Sequence, residues 1–428
     1  MLITPRALFN YIMLPFPMPF RNSPFPDIFP AGPSIGSPPM QPSFNPQPQP
    51  LPMTPPEAGM DRALNYYADY SGCGFWRMIW PEHVLNAHQK MTVHGSTVMT
   101  FDRNYFQNIK AVRIQRQATE NQLQFVKFLR DMANQFGFRI IYEIDDIIFS
   151  EDIPDYNKFK PAFTDPKIRQ VSQEIMSMCD EITVTCDFMK QYYIAKTGNR
   201  NITVIPNYPP RFWMGNHYNQ RQLEKNFENF CGTKKAKPRI LYPGSGAHFD
   251  VDNRTGQNDD FAHVRDAIAN TVDVFQWVFI GAFPLPLQDL VRQGKIEFHP
   301  WKRLYEYPSM ISSLNCNMMI APLQNNNFNK AKSDLKYIEA SCFGLPIACQ
   351  DIDTYANAPI RFTTGAEMVD QVYKYTKNSA KYWQASFAAR KVAEGRFLES
   401  DENIDKYREL YTLPYKHADR KLLNAINL

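Results

Sequence analysis

Short apolar runs rich in β-branched residues recur along this chain, most stopping at Gly, Pro or Asp before the chain gives way to helical spacing. That alternation restricts the fold more than any other feature. Strands are expected at 98–101, 111–115, 139–144, 181–185, 202–205, 239–242, 275–280, 296–299, 318–321 and 346–349, and helices at 120–134, 168–178, 187–196, 260–269, 305–314 and through much of 366–411. Strand, helix, strand in succession is a βαβ unit, and linked units build a doubly wound parallel sheet whose ligands gather beyond the carboxyl ends of its strands. With 428 residues the chain has room for two such domains. The apolar runs place them at 61–207 and 239–399, with the polar, aromatic and basic stretch 208–238 as linker or insertion.

Residues 1–60 hold half of the 34 prolines, a density that removes backbone donors and forbids helix, so a disordered tail is expected there. Mean hydropathy of -0.44 with 44% hydrophobic residues suits a soluble protein with substantial cores. A net charge of +4 permits an anionic partner without demanding nucleic acid. The seven cysteines are scattered with no CxxC pair, which points to reduced thiols, no structural metal site and a cytoplasmic setting, the host's cytoplasm for a viral chain. No apolar run reaches the ~20 residues of a transmembrane segment, and Pro15, Pro17 and Pro19 interrupt the first apolar stretch.

The chemistry-bearing stretch is 329–349, NKAKSDLKYIEASCFGLPIAC. A helix starting near Lys332 puts Lys332, Lys336 and Glu339 on one face. Two ammonium groups in the first turns, added to free N–H groups and the helix dipole, suit a diphosphate. Glu339, about 10 Å further along the axis, suits a ribose diol. A solvated amphipathic surface helix has the same spacing. Upstream, Gly244-Ser245-Gly246-Ala247-His248 follows a strand as a glycine-rich turn, whose N–H groups suit phosphate and whose His248 is placed to donate to a phosphate or sugar hydroxyl. In the first half, Gly72 and Gly74 read as a turn beside a ligand, with Arg77 as its fixed cation or as a plain surface arginine. Asp145 and Asp146 end a strand, where they either orient or deprotonate an acceptor hydroxyl or cap the next segment. Glu143-x-Asp145 also has the spacing of a metal-binding acidic pair. Arg211, Trp213, Tyr218 and Arg221 mix cations and rings as a nucleic-acid surface does, or as a solvated linker does.

Phe328, Asn329, Lys332, Ser333, Lys336, Glu339, Gly344 and Pro346 match the pattern F-N-x-x-K-S-x-x-K-x-x-E-x-x-x-x-G-x-P. In this the chain resembles the C-terminal domain of GT-B glycosyltransferases of the family 4 type. Many of those carry a second Glu eight residues before the one matched by Glu339, where this chain has Ala331, so the resemblance is to a variant branch. It implies a GT-B fold, two Rossmann-like domains facing a cleft, with a C-terminal helix in 400–428 crossing back to the first domain. It also implies a nucleotide-sugar donor held by Gly244, Ser245, Lys332, Ser333, Lys336 and Glu339, with Gly72, Gly74 and Arg77 in a cleft loop. Asp145, Asp146 and His248 would serve catalysis, with no cofactor or metal and with retention of configuration. Acceptors in that group include polysaccharides, small molecules and, in some phages, hydroxymethylated pyrimidines of DNA. The same fold also houses nucleotide-sugar epimerases, and a non-catalytic nucleotide-sugar-binding scaffold is a further alternative.

Overall fold

The computed structural model describes residues 60–214 and 237–414. The expected tail before Met60, and Tyr218 and Arg221 of the expected linker, lie outside the described residues.

Two six-stranded sheets carry the fold, and every strand pair in them is parallel. The first comprises β1 (Arg62–Tyr66), β2 (Thr92–Ser96), β3 (Ala111–Gln115), β4 (Arg139–Glu143), β5 (Glu181–Val184) and β6 (Ile202–Val204), in the order β2-β1-β3-β4-β5-β6. The second comprises β7 (Arg239–Gly244), β8 (Gln276–Gly281), β9 (Glu297–His299), β10 (Met318–Ala321), β11 (Ile347–Gln350) and β12 (Arg361–Phe362), in the order β12-β11-β10-β7-β8-β9. Strand order reverses between β1 and β3 in one sheet and between β7 and β10 in the other. Crevices form at the carboxyl ends of such pairs.

Inner strands such as β3 and β4 are buried at all five positions, and their apolar residues outnumber the polar ones. The first two strands depart from the sequence expectation. β1 was not anticipated because Arg62 and Asn65 break its apolar character, yet both are buried. The strand expected at 98–101 is replaced by β2 at Thr92–Ser96, and Val98 and Phe101 are exposed. The expected glycine turn is instead continuous helical backbone, running Gly72–Gly74, through π-helical Phe75–Ile79, into Trp80–Ala87.

One apolar cluster runs through both halves. Trp76 and Trp80 of the first half join Leu241, Tyr307 and Tyr337 of the second, with Trp213 between them. Trp213 meets Trp76 edge-on at 4.9 Å and Trp80 at 5.5 Å. It is fully buried, which removes it from any nucleic-acid surface, and Arg211 lies over the Phe397 ring at 4.9 Å. The Asp401–Thr412 helix adds Ile404, Tyr407, Leu410 and Tyr411 to the cluster. It is pinned to the first half where Tyr411 Oη donates to Asn65 at 2.8 Å and Arg139 donates to the Leu410 carbonyl at 2.9 Å. The six described cysteines form no disulfide among the described residues, and among these residues no helix is long and apolar enough to cross a membrane.

Candidate active site

Loops from the carboxyl ends of the two sheets meet each other. β7 ends at Gly244, where a Cβ would come within 2.5 Å of the Tyr242 hydroxyl, so only glycine fits without displacing that ring. Ser245 then caps the Gly246–His248 turn by accepting from the Ala247 N–H at 3.3 Å. His248 Nδ1 lies 2.8 Å from Asp260 Oδ2. The other oxygen of Asp260 accepts from Tyr156 Oη at 2.7 Å, Asn329 Nδ2 at 2.6 Å and the Gln324 N–H at 2.9 Å. Burial alone would raise the Asp260 pKa, but the His248 contact, helped by its other donors, holds it below the usual carboxylate range. Burial, with Lys336 and Lys332 nearby, pushes His248 down to about 4 against the pull of Asp260. The imidazole is therefore neutral at pH 7. An ionised Asp260 needs a donor, so Nδ1 carries the proton and Nε2 keeps its lone pair. His248 thus presents Nε2 as an acceptor, where the sequence reading has it donating to a phosphate or sugar hydroxyl.

The lysine segment is two helices rather than one. Asn327–Lys330 is capped by the Asn326 side chain, which accepts from the Asn329 N–H, and Leu335–Cys342 follows after a break at 331–334. Lys332 therefore precedes the helix. The break follows from what its residues bind: Phe328 and Ala331 are buried in the first half's core, Ser333 Oγ accepts from Asn207 Nδ2 at 2.9 Å, and Asp334 is held by Arg396 at 2.6 Å. Lys332 and Lys336 still work on common ground, since both act on His248. Their ammonium groups lie 4.5 Å from the Phe328 ring centroid and 5.2 Å from that of Tyr242, and neither makes a salt bridge among the described residues. Burial lowers the Lys336 pKa against the attraction of Glu339, and burial raises that of Glu339 against Lys336. Gly344, at φ 62°, turns the chain from this helix toward β11.

In the first half the acidic pair divides. Asp145 bonds Arg116 Nε at 2.6 Å, and although burial would raise its pKa, that guanidinium brings it down. Asp146 has its pKa raised by burial, against Lys332 and Arg116. Glu143 cannot join Asp145 in holding a metal, because it is fully buried between the guanidinium groups of Arg77 and Arg113. Arg77 is likewise sealed in, donating to Glu143 at 2.6 Å, the Ile205 carbonyl at 2.6 Å and Asn207 Oδ1 at 3.0 Å. It is no free cation for a ligand, and its hydrogen-bonded link toward the site runs through Asn207, which also bonds Ser333. Gly74 lacks a side chain because a Cβ would overlap the Asp69 carbonyl, so its close approach is to its own chain; Gly72 meets nothing within 4 Å.

Five residues at this junction escaped sequence reasoning. Arg116, at φ 48° after β3, joins Asp145 to Cys73, its Nη2 lying 2.6 Å from the thiol sulfur. Tyr156 and Lys158 come from a loop with no motif. Asp260 is twelve residues after His248, a separation that no periodicity marks. Trp301 is 45% exposed beyond β9 and lies against Gly281, where a Cβ would be 2.6 Å from the indole; a lone tryptophan in a polar loop was the only available signal.

No family model matches the chain, and no curated protein matches it in sequence. Solved structures do match in fold. A glycosyltransferase from Rickettsia africae ESF-5 is similar with a TM-score of 0.53 at 13% identity, over 85% of this chain and 99% of that one. A mutant of S. aureus TarM, solved with fondaparinux, alpha-GlcNAc-glycerol and UDP, gives 0.48 at 9% identity, over 78% and 59%. A mutant of T4 phage BGT, solved with UDP-glucose, gives 0.46 at 12% identity, over 82% and 98%. Two parallel doubly wound sheets joined at their carboxyl ends, together with the likeness to the Rickettsia structure, give this chain the GT-B fold.

Proposed function

We propose that this chain is a glycosyltransferase that moves a sugar from a nucleoside-diphosphate donor to a hydroxyl acceptor. The observation that carries the proposal is the convergence of Lys332, Lys336 and neutral His248 on the glycine turn at the β7/β10 switch point. The Rickettsia protein of like fold is described as a glycosyltransferase, which agrees with it. Breaking the anomeric bond puts negative charge on the departing diphosphate, and fixed cations with preorganised N–H groups stabilise that charge. The Gly244–Gly246 turn, Ser245 and the two lysines would bind the diphosphate, with Ser333 fixing their backbone through Asn207. Glu339 would accept from the ribose hydroxyls, and the Trp301 ring would support the base. The position of the family's second glutamate is buried Ala331. Contacts to the sugar hydroxyls therefore fall to other groups, and His248 Nε2 is the acceptor at hand. Asp146, which faces Lys332 from the other half, would orient or deprotonate the incoming hydroxyl.

Nucleotide sugars screened by thermal shift provide the test. A true donor at a hundredfold excess over its Kd stabilises the protein by about 2.7 kcal/mol, and Lys336→Ala loses most of that shift. A variant that responds as the parent does would remove the diphosphate from this site. Turnover is then followed with polysaccharide, small-molecule and hydroxymethylated-DNA acceptors. NMR of the product reads retention or inversion, with retention expected from the resemblance, and EDTA is expected to leave the rate unchanged. Free sugar released without acceptor would indicate an epimerase, and binding without turnover a scaffold.

A further inference from the structure

Three consecutive residues of the first half are docked on the glycine turn and its supporting loop. Tyr156 Oη donates to Asp260 at 2.7 Å, and the Asn157 carbonyl accepts from Arg254 at 3.3 Å. Lys158 then crosses the turn itself: a Cβ on Gly246 would lie 3.2 Å from both Cδ and Nζ of Lys158. Its ammonium lies 5.0 Å from the centroid of the adjoining Phe159 ring and makes no salt bridge among the described residues. Tyr156 and Asn157 are buried, so the backbone carrying Lys158 is fixed, and only the outer part of its side chain is free to move.

From this we propose that Lys158 is a third phosphate-binding cation, supplied by the first half to a diphosphate held on the second. The inference rests on the donor-site reading above. Cations that make no salt bridge among the described residues repel each other when gathered at one turn, and a ligand with two anionic groups relieves that repulsion while accepting their hydrogen bonds. Lys332 and Lys336 approach the turn from the helix side, and Lys158 approaches it from the opposite sheet. An anion between them is therefore touched from both halves. Gly246 is part of the arrangement, because a Cβ there would lie 3.2 Å from the Lys158 Cδ and Nζ and the lysine end would have to give way.

The test compares Lys158→Ala, Lys158→Arg and Lys336→Ala with the parent by calorimetric titration against UDP, GDP, ADP, CDP and TDP and the matching nucleosides. Each variant is first checked for an unchanged unliganded melting temperature. For whichever diphosphate binds the parent, Lys158→Ala is expected to raise Kd roughly tenfold, the loss of one charge-assisted contact. Nucleoside affinity should stay unchanged, and Lys158→Arg should recover most of the diphosphate affinity. The dependence of log Kd on log salt should also become shallower for Lys158→Ala. If Lys158→Ala binds the diphosphate as tightly as the parent while Lys336→Ala is weakened, the inference falls and the donor site stands. If the parent binds none of the diphosphates, the donor-site reading fails, and the inference with it.

Discussion

Neutral His248 has a consequence for stability as well as for hydrogen bonding. Its pKa falls from the ordinary value near 6.5 in the unfolded chain to about 4 in the fold. Between those values the unfolded chain binds a proton that the folded chain refuses, so this residue's contribution to stability rises with pH from about 4 to 6.5. The full effect is of order 3 kcal/mol. Buried Glu82 and Glu339, both raised to about 7, act in the opposite direction, so the test is the difference between parent and His248→Gln. Urea midpoints from pH 4.5 to 7 should climb more steeply for the parent, and parallel curves would contradict the neutral assignment. At the acidic pair, Asp146→Asn is expected to lower turnover about a hundredfold with donor affinity kept, whereas Asp145→Asn frees Arg116 and disturbs the loop around Cys73. Glycines just before His248 marked its turn in the sequence, but the carboxylate of Asp260 that sets its tautomer carried no such mark. Arg77 was misread because an arginine sealed against Glu143 and one exposed on a turn look alike in one dimension.

The lysine segment shows what local spacing can and cannot reveal about an element. Side-chain types at fixed intervals identified the segment, but the break at 331–334 depends on Asn207, Arg396 and the first half's core, all distant in sequence. β1 was hidden for a similar reason: Asn65 is tolerated inside because Tyr411 donates to it and Glu82 accepts from it at 3.1 Å. By contrast β10 was read in full, since Met318–Ala321 is buried throughout and its apolar run needs no partner to be recognised. The Gly72–Gly74 turn of helix offers a paired test. Gly74→Ala forces a methyl into the Asp69 carbonyl and should cost about 2 kcal/mol or more. Gly72→Ala, with open space around it, should be neutral or gain a few tenths of a kcal/mol. Denaturant midpoints of the two variants decide it, and equal changes at the two positions would show that the clash with the Asp69 carbonyl does not govern the site.

On the scale of the molecule, the shared cluster around Trp213 is expected to couple the unfolding of the two halves. Calorimetry of the full chain is expected to show one cooperative transition, and two well-separated transitions would contradict a continuous core. Deleting the chain from Asp401 onward uncovers Tyr208 and the Asn65 side chain, and should lower the melting temperature of both halves in step. The overall plan of two doubly wound sheets was legible because most of the inner strands, β1 excepted, are buried and largely apolar. The packing of one half on the other was not, because Trp76, Trp80 and Trp213 carry no spacing that links them. That tryptophan cluster also bears on how such a protein can change its substrates. A hybrid taking its first half from another chain would leave Leu241 and Tyr307 against an unmatched surface. New specificity is thus more readily reached by altering the loops beyond the strands than by recombining halves.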